Sequence, residues 1–175
     1  MLTFGHGTAT QDELVELLTT AGVALVVDVR RYPGSRRQPH VATDQLARWL
    51  PAAGIAYRWE PRLGGRRQLS PDAAALDPWW QVKAFRAYAA HTRTVEFRSA
   101  LDELLPESSG SPGRTAVMCS ESLWWRCHRR LIADVLVLLH GVVVQHLQHD
   151  GRLVQHVPAA GARVTPEGLR YDQDG

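Results

Sequence analysis

The segment Cys119-Ser120-Glu121-Ser122-Leu123-Trp124-Trp125-Arg126-Cys127-His128-Arg129-Arg130 gathers two thiols, a carboxylate, an imidazole and three arginines within one short stretch. It follows the apolar run Arg114–Met118 and leads into a helical apolar pattern that extends to about His140. A strand that turns directly into a helix aims free backbone N–H groups at one spot, and the helix dipole adds positive potential there. An anion is expected to collect at such a turn. A thiol in that position has its pKa lowered, because the dipole and nearby guanidinium groups favour the thiolate. Cys119 is therefore the first candidate nucleophile, set against the ordinary role of cysteine as a small buried hydrophobe. Cys127 falls inside the expected helix, where burial is the better reading. Arg126 and Arg129 are candidate anion ligands, Glu121 is an alternative reactive group, and His128 orients its neighbours or binds the anion.

Cysteine-loop phosphatases and sulfurtransferases also place an arginine shortly after a strand-end cysteine. Here the separation of Cys119 and Arg126 is one residue too long for the phosphatase motif, and Trp124-Trp125 is bulky for a loop that must wrap an oxyanion. A metal is the next chemistry to weigh, since Cys119, Cys127, His128, Glu121 and His6 are all zinc or iron ligand types. Structural zinc sites usually pair their ligands at short spacing, as in Cys-x2-Cys, and no such pair occurs. No metal and no cofactor is expected on that ground.

These residues need elements to hold them. Leu2–Phe4 reads as a strand that breaks at Gly5-His6-Gly7, and Thr10 with Glu13 forms a capping box before a helix carrying Leu14, Leu17 and Leu18. Ala24–Val29 is a continuous apolar run, as expected of a strand covered on both faces, and Arg30 follows it directly. A helix over about 43–53 and a strand around Ile55–Trp59 repeat the pattern. Strand, helix and strand in this order favour parallel pairing, so the fold class is α/β: a mostly parallel central sheet flanked by helices. Loops after the C-terminal ends of such strands share one crevice. That places His6, a candidate general acid or base, beside Asp28, a candidate catalytic or structural acceptor, and Arg30, a candidate anion ligand.

Further along, 61–76 reads as a loop over the ligand edge, 79–91 and 94–105 as helices, and 106–113 as a soft linker. The Asp150-Gly151 turn suggests a C-terminal hairpin between Val142–Leu147 and Leu153–Val157. Residues 1–157 are read as a single α/β domain, and 158–175 as a loosely ordered tail. The chain has no apolar stretch long enough to span a bilayer and no N-terminal signal pattern, so a cytoplasmic protein without membrane association is expected. Its two cysteines are too few for a disulfide scaffold and are available for chemistry.

Of the 20 basic residues, all but Lys83 are arginine. Pairs such as Arg36-Arg37, Arg66-Arg67 and Arg129-Arg130, with Tyr32, Trp59 and the two Trp-Trp pairs, would suit phosphates and stacked bases, unless the tryptophans are core and the arginines solvated.

The ordered set Gly5-His6-Gly7, Asp28-Val29-Arg30, Pro33-Gly34-Ser35-Arg36, Leu63-Gly64-Gly65, Phe85-Arg86-Ala87-Tyr88, Met118-Cys119-Ser120-Glu121 and Cys127-His128-Arg129-Arg130 resembles the domain of unknown function 488 family over nearly all of 2–147. The chain departs from the family at Ser122–Trp125, where small polar residues are common. The resemblance implies the α/β fold and a shared site edge of His6, Asp28, Arg30, Ser35, Arg36, Cys119, Glu121, Cys127, His128 and Arg129. It implies no substrate. The leading functional expectation is an enzyme acting on a phosphate-bearing substrate, a small nucleotide or a nucleic acid. In it Cys119 or Glu121 reacts, His6 transfers protons, and Arg30, Arg36 and Arg129 hold the anion. The alternatives are a non-catalytic nucleic-acid-binding or regulatory module, and a metal or thiol sensor built on Cys119, Cys127 and His128. The oligomeric state is not legible.

Overall fold

In the computed structural model the structure describes residues 1–34, 37–70, 75–105 and 113–173 in full, and 106–110 as backbone. Ser35 and Arg36 lie outside the described residues. The central sheet runs β3(Ala56–Trp59), β2(Val23–Asp28), β4(Arg114–Cys119), β1(Leu2–Gly5), β5(Gln145–Leu147) and β6(Leu153–Gln155). The first five are mutually parallel, and β6 closes the edge as an antiparallel hairpin with β5 across the Asp150-Gly151 turn.

Helices cover both faces. On one side α1(Gln11–Thr20) and α2(Thr43–Ala52) bury Leu14, Leu18, Leu46 and Leu50 against Leu2, Phe4, Val26 and Met118. On the other, α3(Lys83–Thr92), α4(Val95–Gly110) and α5(Arg129–His140) pack Tyr88, Phe97, Leu101, Leu131 and Ile132 against Val27, Val117 and Cys119. Each fully buried aliphatic or aromatic side chain contributes roughly 1.5–3 kcal/mol. Strand side chains alternate in direction, so Met118 faces α1 and α2 while Cys119 faces α5. The capping box is present at the start of α1: Thr10 Oγ1 accepts from Glu13 N, and Glu13 Oε2 accepts from Thr10 N at 2.7 Å.

Four boundaries differ from expectation. First, β4 does not run straight into a helix. Residues 120–128 form a loop with a 3-10 turn at Trp124–Arg126, and α5 starts only at Arg129, so Cys127 precedes the helix. Trp124 lies flat on His146, with ring centroids 4.0 Å apart, and Arg129 binds the Glu121 carbonyl, so the loop is held by distant partners. Second, α3 starts at Lys83, because Trp79 and Trp80 are engaged with each other and with the Arg130 guanidinium. Third, α4 continues through Pro106 to Gly110 rather than ending before a linker at 106. Fourth, the tail is not loose. β7(Ala162–Thr165) and β8(Gly168–Tyr171) form a second hairpin, with Leu169 and Tyr171 fully buried. Its ties are side chains far back in sequence: Tyr171 donates to Asp134, and Arg93 donates to the Leu169 carbonyl.

Candidate functional site

The C-terminal ends of β1, β2 and β4 meet under one cleft of about 690 Å³, lined by His6, Arg30, Cys119, Ser120 and Glu121 together with Cys127 and His128 from the α5 approach. Arg31, Arg66 and Arg126 stand at its rim, and Phe85 and Tyr88 of α3 form an apolar wall. The crevice expected from parallel topology is thus where those residues converge.

Two buried groups lie beneath it. Under the α2 side, Arg30 grips Asp28 bidentately, with Nε to Oδ1 at 2.8 Å and Nη2 to Oδ2 at 2.6 Å, and also donates to the Val41 carbonyl. Tyr57 OH donates to Asp28 Oδ2, which raises the Tyr57 pKa through burial and the adjacent carboxylate. Arg30 Nη1 lies 3.2 Å from His6 Nε2, while His6 Nδ1 lies 3.0 Å from the Gly7 carbonyl. A carbonyl only accepts, so the His6 proton sits on Nδ1 and Nε2 accepts from Arg30. Burial and the Arg30 charge bring His6 down to about 4. The expected proton carrier is therefore a neutral imidazole whose lone pair is already engaged.

Beneath the α5 side lie Cys119, Cys127 and His128. His128 Nδ1 is 3.9 Å from Cys119 Sγ and 3.7 Å from Cys127 Sγ. Burial opposes a charge on Cys127, but the Cys119 thiol, the Arg129 guanidinium and the Arg129 backbone N–H outweigh it and bring its pKa down to about 6. Cys119 moves the other way: its hydrogen bond to Cys127, then burial, push it up to about 12. The shift thus favours the thiolate at Cys127 over Cys119, because the Arg129 guanidinium and backbone N–H act at Cys127 rather than at the strand end.

Arg129 is almost completely buried. Its Nε donates to Cys127 Sγ at 3.4 Å, its Nη1 to Thr3 Oγ1, and its Nη2 to the Glu121 carbonyl. It is committed internally and does not line the cleft, whereas Arg30 lines it with its guanidinium already bonded to Asp28, His6 and the Val41 carbonyl. Gly5 makes the Glu121 contact possible, since a Cβ there would fall 1.8 Å from that carbonyl oxygen. Glu121 itself is an exposed carboxylate on the cleft lip.

Beyond Arg129 a polar chain runs through the interior. Thr3 Oγ1 meets His146 Nδ1 at 2.7 Å, His146 Nε2 meets His156 Nδ1 at 2.9 Å, and His156 Nε2 meets Asp134 Oδ1 at 2.7 Å. Sequence reasoning gave none of these residues a role. It also missed Arg31, named Arg66 only as one of several basic pairs suited to phosphates, and quoted Gly65 and Tyr88 only within motifs. The Tyr88 ring packs on His128, and a Cβ at Gly65 would come within 2.9 Å of His128 Nδ1, so only glycine leaves room there.

Elsewhere, arginines are largely consumed: Arg62 pairs with Glu60 and Glu103, Arg67 with Glu96, and Arg93 with Asp77. Trp80 is buried, while Trp59 and Trp125 are about half exposed. At the cleft rim, by contrast, Arg31, Arg66 and Arg126 have no carboxylate partner among the described residues. Arg66 is held in the left-handed region, with φ 57°, and its carbonyl accepts from Arg31 Nη1.

The family described as domain of unknown function DUF488 matches residues 10–136, which spans β2 to β4 and most of α5. The chain belongs to this family. The DUF488 match includes Asp28, Arg30, Cys119, Cys127 and His128, whereas His6, His146 and the C-terminal hairpin lie outside it. No curated protein and no solved structure matches the chain. No helix among the described residues is long and apolar enough to cross a membrane.

Proposed function

We infer that the cleft is the active site of an enzyme acting on a phosphate-bearing substrate, with Arg31, Arg66 and Arg126 holding the anion and the thiol–imidazole cluster on the floor as the reactive group. One observation carries this reading. The three rim arginines that lack carboxylate partners among the described residues overhang the cleft whose floor holds Cys119, Cys127 and His128. A guanidinium without a carboxylate keeps its planar fork free for two parallel bonds to a phosphate. The apolar wall of Phe85 and Tyr88 would take the uncharged part of the substrate, which favours a small phosphorylated molecule over a long nucleic-acid strand. Two free thiols so close together persist in a reducing compartment, so the reading places the protein in the cytoplasm.

The test pairs binding with turnover. Inorganic phosphate and a panel of nucleotides and sugar phosphates would be titrated by calorimetry and screened for conversion. Arg126→Ala and Arg66→Ala should each weaken binding about tenfold or more. Cys127→Ser should abolish turnover and leave binding within a few-fold. Binding that ignores both arginine changes refutes the reading. Binding without turnover of any compound, together with a steep salt dependence on single-stranded DNA or RNA, would favour the non-catalytic nucleic-acid module instead.

A further inference from the structure

We propose that Cys119 Sγ, Cys127 Sγ and His128 Nδ1 bind one divalent ion of the zinc class, leaving its fourth coordination position open to the cleft. The site stands on the three ligands alone. Only the role given to the open position rests on the phosphate-substrate reading above.

The geometry is the first argument. The three ligand atoms lie within 4.8 Å of one another, and Nδ1 is 3.7 and 3.9 Å from the two sulfurs. Metal bonds of about 2.3 Å to sulfur and about 2.0–2.1 Å to nitrogen, set at tetrahedral angles, separate sulfur from nitrogen by about 3.6 Å and sulfur from sulfur by about 3.8 Å. The cluster is therefore within a few tenths of an ångström of a tetrahedral face on its nitrogen edges. The sequence argument against a metal rested on the absence of a short-spaced ligand pair. Here the fold supplies the pairing, because the loop 120–128 returns Cys127 to the end of β4.

The scaffold is the second argument. Cys119 ends a strand paired on both sides, and Cys127 and His128 immediately precede α5. Arg129 ties the two segments together through the Glu121 carbonyl and Cys127 Sγ. Such donors around a thiolate ligand orient it and temper its charge. His128 Nε2 has no partner among the described residues, so the only polar engagement of the ring is through Nδ1. Gly65 keeps the space beside that nitrogen free of a side chain.

Ligand chemistry and charge supply the third. Two thiolates and an imidazole select zinc-class ions over magnesium or calcium. Among the described residues no further histidine, cysteine or carboxylate joins the cluster, and three protein ligands beside a cleft is the pattern of sites that keep a position for water or substrate. Two thiolates cancel a divalent ion, so the Arg129 charge remains and favours an anion in the open position. A phosphate oxygen or a hydroxide meets that demand.

The experiment is cobalt(II) titration of the full chain, purified with reduced thiols, followed by absorption spectroscopy, with metal content of the untreated protein measured in parallel. One equivalent of Co²⁺ should produce a thiolate-to-cobalt charge-transfer band and d–d bands of tetrahedral intensity, displaced stoichiometrically by Zn²⁺. Cys119→Ser, Cys127→Ser and His128→Gln, each checked for native circular dichroism, should weaken Co²⁺ binding about 100-fold or more, while Arg126→Ala should not. Wild-type protein with titratable thiols and no such bands overturns the proposal. So does unchanged cobalt affinity in folded His128→Gln, or protein isolated under reducing conditions with Cys119 and Cys127 joined as a disulfide. If cobalt does not bind but phosphate binding still depends on Arg126, the metal site is wrong and the substrate reading survives. If cobalt binds and phosphate binding ignores both Arg126→Ala and Arg66→Ala, the metal site holds and the substrate reading fails.

Discussion

Arg30 and Arg129 are both buried beneath the same cleft, and they are stabilised in opposite ways. Arg30 faces a fully buried carboxylate two residues away, and each nitrogen of its fork meets Asp28, His6 or a carbonyl. Arg129 has no carboxylate partner among the described residues. It is spread over a hydroxyl of β1 and a carbonyl and a sulfur of the loop 120–128. The first arrangement is a closed ion pair that stiffens the β2 end. The second keeps a buried cation on the α5 side bonded to a sulfur and two neutral oxygens rather than to a carboxylate.

The contrast can be broken most directly by deleting the first cation. Arg30→Met strands the Asp28 carboxylate out of water and should cost about 3–5 kcal/mol in urea unfolding. Adding Asp28→Asn should then recover at least about 1 kcal/mol. Strict additivity of the two changes would mean that the pair is not a unit.

A comparable effect follows from pH. The folded pKa of His6 is depressed to about 4 against an ordinary value near 6.5, so the unfolded chain takes up a proton that the folded protein refuses. Stability is unaffected above about pH 7, falls as the pH drops from 6.5 toward 4, and levels off below that. The His6 share is about 3 kcal/mol at full extent. His146 and His91 are also depressed by burial and add to the fall, so the quantity to measure is the difference between wild type and His6→Gln. A difference that does not shrink between pH 7 and 4 contradicts the closed Arg30–His6 contact.

The smallest effect is expected at Arg129. Arg129→Met leaves three acceptors without a donor but also removes a buried charge, so the net cost should be about 1–3 kcal/mol. A cost equal to that of Arg30→Met, removed by Cys127→Ser, would show that Arg129 pairs with a full negative charge on the sulfur.

The same contrast explains what could be read in advance. Asp28 and Arg30 sit two residues apart at the end of an apolar run, so both their pairing and their place at the strand edge follow from local pattern. Strand alternation and the capping box at Thr10 likewise made the parallel sheet legible. The Arg129 partners are at positions 3, 121 and 127, and nothing in periodicity links residue 129 to residue 3. The sequence therefore named Cys119 for its strand-end position, whereas the loop held by Trp124 and Arg129 moves the helix start to Arg129, just after Cys127. The second hairpin was hidden for a similar reason: its small, polar residues look unanchored until Asp134, Asp77 and Arg93 are seen to bind its backbone and the Tyr171 hydroxyl.

The polar chain from Arg129 through Thr3, His146 and His156 ends at Asp134, whose second oxygen is claimed by Tyr171, 37 residues downstream. On a ribosome, Asp134 emerges well before its final partner, by roughly 2–7 s at ordinary elongation rates. During that interval the Asp134 side chain lacks the hydroxyl that completes its shell, and the surface that the second hairpin will cover remains open. The face of α3 and α5 under this hairpin is thus finished last, and a nascent chain stalled before Tyr171 carries a buried-to-be Asp134 with that face still open to water.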